Sequence, residues 1–245
     1  MRLALLGIFA GLLALGESKT APAPVVVELF TSEGCSSCPP ADEVLAKVEG
    51  RDAATGAEVI ALGEHVTYWD RLGWKDRFSQ DVFTERQEAY SQHFRLSSVY
   101  TPQVVVNGQV ELLGSDQSRL RKEIARAGSQ QAVKIELTEA GGKLSYRMTG
   151  LPLGARGAEV MLAVTESRIE TNVKKGENSG RNLRHTGVVR SLMPVGRVTE
   201  ISSQGFAGDT KLPIAPNWQR ENLKYVVFLQ DPVTRRIWGA AALKL

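Results

Sequence analysis

From residue 25 onward the chain alternates short apolar runs with amphipathic stretches. Val25-Val26-Val27-Glu28-Leu29-Phe30 is β-branched, short and nearly continuous, the pattern of a buried strand. Ala41 to Val48 places Val44, Leu45 and Val48 on one helical face, with Asp42 and Glu43 near the positive end of the helix dipole. Glu58 to Leu62 reads as a second strand, so the order predicts a parallel βαβ unit. Asp81 to Phe94 predicts a helix whose face carries Val82, Phe83, Arg86, Ala89, Tyr90 and Phe94. Thr101 to Val110 contains a β-run, an Asn-Gly turn and a return strand, hence a hairpin. Ser115 to Ala127 is amphipathic, with Leu120 and Ile124 inward and Arg119, Arg121, Lys122 and Arg126 outward.

After residue 130 the period changes from helical to alternating. Val133 to Leu137 and Lys143 to Met148 alternate across a Gly141-Gly142 turn. Residues 158–165, 185–192, 197–201, 225–230 and 236–241 continue the series. This spacing predicts a β-rich, sandwich-like C-terminal domain over residues 131–245, after an α/β domain over 24–128. The boundary falls near Gly128-Ser129-Gln130, and there is no internal repeat.

Composition adds an address. The first 20 residues read as a signal peptide: Arg2 is a positive n-region, and Leu3 to Leu15 is an uncharged apolar stretch followed by small and polar residues. That stretch is shorter than the roughly 20 residues a membrane helix needs, though an uncleaved anchor is the alternative. No other segment is apolar enough to span a bilayer, so a mature chain without a membrane span, periplasmic or secreted, is expected. The net charge of +3 is mild and dispersed, which argues against nucleic acid as a partner.

That address sharpens the reading of the two cysteines, Cys35 and Cys38. A disulfide closing so short a loop constrains the unfolded chain little, so chemistry explains the pair better than stabilisation does. The motif Gly34-Cys35-Ser36-Ser37-Cys38-Pro39-Pro40 lies between a buried strand and a helix. Unpaired N–H groups at a helix start favour thiolate, the reactive form. Cys35 is the expected nucleophile and Cys38 the resolving thiol. The competitors are an inert structural pair and half of a zinc site. Structural zinc takes four ligands, no second CxxC exists, and His65, His93 and His185 show no ligand spacing. Neither a metal nor a cofactor is expected.

Tyr100-Thr101-Pro102 heads a β-run well downstream of this strand–CxxC–helix unit. Together these features resemble a thioredoxin-like fold over Val25 to Ala127: a central mixed sheet, the CxxC at the start of the first helix, and a cis-proline strand. The resemblance implies that Pro102 is cis and lies beside the dithiol, and that Thr101 offers backbone hydrogen bonds to a substrate peptide. Three departures bear on the chemistry. Gly34 stands where thioredoxins carry Trp, Ser36-Ser37 replaces Gly-Pro, and Pro39-Pro40 disturbs the helix start. The serine hydroxyls are candidate donors to a thiolate. The whole chain is also similar to a family of exported bacterial proteins that share a domain of unknown function. The carrying stretches are Glu28 to Asp42, which includes GCSSCPPAD, then His65 to Asp70, and Gly176 to His185.

Supporting residues carry competing readings. His65 is either a proton shuttle or a hydrogen-bonded structural residue. Tyr68, Trp69 and Trp74 either wall a groove or fill the core. Glu33 reads as a solvated loop charge able to influence Cys35, and Glu28 is a candidate proton relay. Asn178, Arg181 and His185 lie in a loop that either docks over the CxxC face or stays solvated. The expected function is thiol–disulfide exchange with a protein dithiol or disulfide, served by an unidentified redox partner, through two sulfurs that share an accessible corner. The alternatives are a binding module with a resting disulfide and a metal-binding protein.

Overall fold

The computed structural model describes residues 22–130 and 132–245; the leader expected at residues 1–20 lies outside the described residues. Strand β1 (Val25–Thr31) leads through the cysteine turn into helix α1 (Pro39–Val48) and the short β2 (Gly50–Arg51). Then come β3 (Glu58–His65), α2 (Asp81–Phe94), the hairpin β4 (Gln103–Val106) and β5 (Val110–Leu113), and α3 (Gln117–Gly128). The second half is mostly strand, with two short 3-10 turns: β6 (Lys134–Ala140), β7 (Lys143–Thr149), β8 (Glu159–Glu166), β9 (Ile169–Asn172), β10 (Asn182–His185), β11 (Val188–Arg197), β12 (Phe206–Lys211), β13 (Leu223–Gln230) and β14 (Ile237–Lys244). Among the described residues no helix is long and apolar enough to cross a membrane.

A mixed sheet runs in the order β14-β13-β8-β11-β3-β1-β4-β5. Strand β1 is buried along its whole length because helices cover both faces. Val25, Val27 and Leu29 pack with Val44, Leu45, Leu120 and Ile124 of α1 and α3. Val26 packs with Phe83, and Phe30 with Tyr90, both of α2. The C-terminal strands β8 and β13 bury Val160, Leu162, Val164, Tyr225 and Val227 against Leu144, Tyr146 and Met148 of β7. That strand is the centre of a separate three-stranded sheet, β12-β7-β6.

The two expected domains therefore share one sheet. The join is β11 beside β3, in parallel, with Val188 opposite Gly63. The Gly63 N–H donates to the Gly187 carbonyl at 2.7 Å. Gly187 has φ of 58° and a Cβ there would stand 2.5 Å from the Ala61 carbonyl oxygen, so the join requires glycine. Periodicity marks what each strand buries but not which neighbour it meets, and that is why the chain order reads as two units. At the element level, the run expected over 185–192 divides at Thr186-Gly187 into β10 and β11.

Candidate active site

The site forms where β1, α1 and the segment before β4 meet. Cys35 and Cys38 are joined as a disulfide. The first helix starts at Pro39, a position where a missing N–H costs nothing. Cys38 is its N-cap, and the Cys38 carbonyl accepts from the N–H groups of Ala41 and Asp42 at 2.8 and 3.1 Å. Cys35 sits one turn earlier, with its N–H donating to the Ser32 carbonyl. The helix dipole thus bears more directly on Cys38 than on Cys35.

Two hydroxyls meet the Cys35 sulfur instead. Thr101 Oγ1 and Ser37 Oγ each lie 3.4 Å from Sγ. The indole N–H of Trp69 donates to Thr101 Oγ1 at 2.8 Å, so the Thr101 hydroxyl proton is free to point at the sulfur. The Thr101–Pro102 bond is cis. Gly34 leaves room for Trp69: a Cβ at residue 34 would be 3.3 Å from the Trp69 Cβ. Tyr68 is half-buried and donates to Gln87 at 3.1 Å; it and Trp69 pack against Phe30 and Tyr90. Both aromatics are therefore partly core, and Trp69 also touches the site.

A hydrogen bond to a charged acceptor is worth about 1.5–3 kcal/mol, or roughly one to two pKa units. In the reduced protein, Thr101→Val is expected to raise the Cys35 pKa by about one unit, read from thiolate absorbance against pH. Thr101→Ser should retain the wild-type value. An unchanged pKa in the valine variant removes Thr101 from the stabilisation of the thiolate.

Beneath the turn lies a buried ionisable cluster. Glu33, expected to be a solvated loop charge, has no exposed surface. It accepts from the Trp74 indole at 2.8 Å and lies 3.6 Å from His185 Nε2. His185 Nδ1 faces Asp42 at 3.6 Å, and Thr31 donates to the same carboxylate. Burial alone lowers the His185 pKa; Asp42 and Glu33 outweigh it and push the value up to about 10. His65 is buried, its Nδ1 2.6 Å from Asp76, and its ring packs 5.0 Å from that of His185. Burial raises the Asp76 carboxyl, but His65 and the N–H groups of Glu33 and Phe78 together leave it below its ordinary value.

Glu28 belongs to a different cluster: it takes Arg86 Nε at 2.6 Å and the Tyr90 hydroxyl at 2.6 Å, which turns it away from the cysteine turn. Of the residues in the Gly176–His185 stretch, Asn178 and His185 are buried, and Arg181 is exposed and donates to Asn178. The loop docks on the cysteine turn. Ser36 and Ser37 are exposed, yet Cys35 and Cys38 are both 0% exposed. The expected accessible corner is closed in this state, because the loop and Trp69 cover positions that sequence spacing leaves open. Among the described residues no cluster of three His, Cys, Asp or Glu side chains is arranged to hold a metal ion. The sequence places Asp42 at the helix start and Trp74 at a groove or in the core, but not their contacts with His185 and Glu33, and it does not single out Asp76.

Residues 26–230 match the family described as "Protein of unknown function (DUF1223)", and the chain belongs to that family. Among solved structures it is similar to the X-ray structure of protein AGR_C_4864 from Agrobacterium tumefaciens. That similarity has 28% identity and a TM-score of 0.72, covering 92% of this chain and 96% of the other. HBP35 of Porphyromonas gingivalis shares the fold at 16% identity and a TM-score of 0.68, covering 92% and 76% of the two chains. No curated protein matches the chain.

Proposed function

We propose that this member of the family is an exported thiol–disulfide oxidoreductase, with a thioredoxin-like arrangement around Cys35 and Cys38. One observation carries the reading: a CxxC pair, joined and placed ahead of a helix, has its first sulfur 3.4 Å from the hydroxyl of the residue that precedes a cis proline. In the reduced form, the Cys35 thiolate attacks a substrate disulfide. A mixed disulfide forms and one substrate sulfur leaves as thiolate. Cys38 then attacks Cys35 Sγ, the Cys35–Cys38 bond forms, and the second substrate thiolate is released with two electrons gained. An external protein dithiol restores the reduced pair. In the reverse direction the disulfide accepts two electrons from a substrate dithiol, and an external disulfide reoxidises the pair. Thr101 and Ser37 stabilise the thiolate, and Thr101 with Pro102 forms the docking edge. Export to the periplasm or beyond is part of the proposal and rests on the leader pattern.

Trapping tests this directly. Cys38→Ser expressed with its leader is expected to accumulate mixed disulfides through Cys35, visible as reductant-sensitive bands. The absence of any adduct, together with no exchange on a model disulfide in vitro, refutes the proposal. A second reading, a binding module with a resting disulfide, draws support from the burial of both sulfurs. The reduction potential separates the two: a structural disulfide lies below about −300 mV, and catalytic ones lie higher.

A further inference from the structure

The β9–β10 hairpin forms its own two-stranded sheet, away from the large one. Its tip, residues 173–181, lies on the cysteine turn. Asn178 is buried, and its amide donates to the carbonyls of Glu33 at 2.9 Å and Cys35 at 2.8 Å. Glu177 is exposed, and its carboxylate accepts from Ser36 N–H at 3.2 Å and Ser36 Oγ at 2.6 Å. Gly176 packs against Trp74, where a Cβ would come within 3.1 Å of the Trp74 Cβ. At the foot of the hairpin, His185 sits between Glu33 and Asp42. The tip thus holds the backbone on both sides of the first cysteine, and Cys35 is left with no exposed surface.

We propose that this tip is a strap. Closed, it pins residues 33–36 with Cys35 turned inward, and a thiol partner reaches the disulfide only after the strap releases. The two attachments differ in kind. Asn178 is buried and satisfies carbonyls that have to be paired in the closed state. Glu177 lies at the solvent edge, where an incoming protein displaces it by offering its own acceptor to the two Ser36 donors. The strap deepens the redox reading but is testable without it, because any dithiol reports access to the disulfide.

The test is reduction of the oxidised full-length protein by dithiothreitol, followed by maleimide labelling of the released thiols. One reductant thiolate attacks the protein disulfide, its second thiol closes a ring, and the protein is left with two thiols. In the wild type the rate is expected to plateau at high dithiothreitol, where strap opening becomes limiting. Asn178→Ala and Glu177→Ala are each expected to speed reduction by about tenfold, the factor that loss of roughly one net hydrogen bond gives. Glu177→Gln keeps an acceptor for Ser36 and should stay near wild type. Rates within twofold of wild type in both alanine variants, linear in dithiothreitol, overturn the strap. Should Asn178→Ala prove unstable to heat, the exposed Glu177→Ala decides. Accelerated reduction without any protein exchange refutes the oxidoreductase and keeps the strap; the opposite pair of results refutes the strap alone.

Discussion

Arg86→Met is expected to destabilise the protein by about 3–5 kcal/mol, the usual cost of removing one partner from a buried ion pair. Arg86 projects from α2 into a polar pocket within the core. Its Nε lies 2.6 Å from Glu28 of β1 and 3.6 Å from Glu64 of β3. It also donates to Tyr90 at 3.2 Å and to Gln230 of β13 at 2.9 Å. Burial, and then the charge of Glu28, raise the Glu64 carboxyl well above its ordinary value, so the guanidinium stands between two carboxyl groups that would otherwise repel each other. Without Arg86, the buried carboxyl groups of Glu28 and Glu64 face each other with no cation between them. Denaturant unfolding of wild type and variant measures the difference. The double variant Glu28→Gln with Arg86→Met should recover part of the loss, since both members of the closest ion pair are then replaced together. A loss below about 1 kcal/mol, the range of exposed pairs, refutes the assignment.

The second large effect is a dependence of stability on pH. His185 has its folded-state pKa raised from 6.5 to about 10. A raised value means that the folded state holds the proton more tightly, so the stabilisation is complete below the unfolded value near 6.5. It is lost as pH rises through about 10. Every tenfold gain in proton affinity on folding is worth about 1.4 kcal/mol, so the total amounts to several kcal/mol. Glu33, Asp42 and, through its ring contact, His65 with Asp76 are the ionisable groups that face the imidazole. Measured on the oxidised protein, where the cysteines do not titrate, stability should fall across this window in the wild type. In His185→Gln it should be nearly flat. Equal slopes in the two proteins would place the proton elsewhere.

Much of the first half was legible because its signals are local. The expected helix over Asp81 to Phe94 coincides with α2, and the Asn-Gly turn lies between β4 and β5. Arg86 falls by periodicity on the same helix face as Phe83 and Tyr90, and all three are buried. The pairing of Cys35 with Cys38 and the closeness of Thr101 were also expected, from spacing and resemblance together. What sequence concealed depends on distant partners. Glu33 in its loop looks like any hydrated acid until Trp74 and His185 arrive from other segments to enclose it. Strands β9, β10 and β12 are short or polar, with Ile169-Glu170-Thr171-Asn172 as the example, and each exists through its partner rather than its own pattern. Val82, placed on the buried face by periodicity, is 39% exposed because α2 covers the sheet with a narrower stripe.

The glycine-to-glycine seam between Gly63 and Gly187 has a practical corollary for anyone wishing to isolate the cysteine-bearing half. A fragment that stops at residue 130 would strip β3 of β11, free the Gly63 amide and uncover apolar residues such as Ile60 and Leu62, which cluster with Val189, Val226 and Phe228 in the full chain. Such a rim recruits other chains. Self-association of the shortened chain, rather than a tidy minimal enzyme, is the expected product.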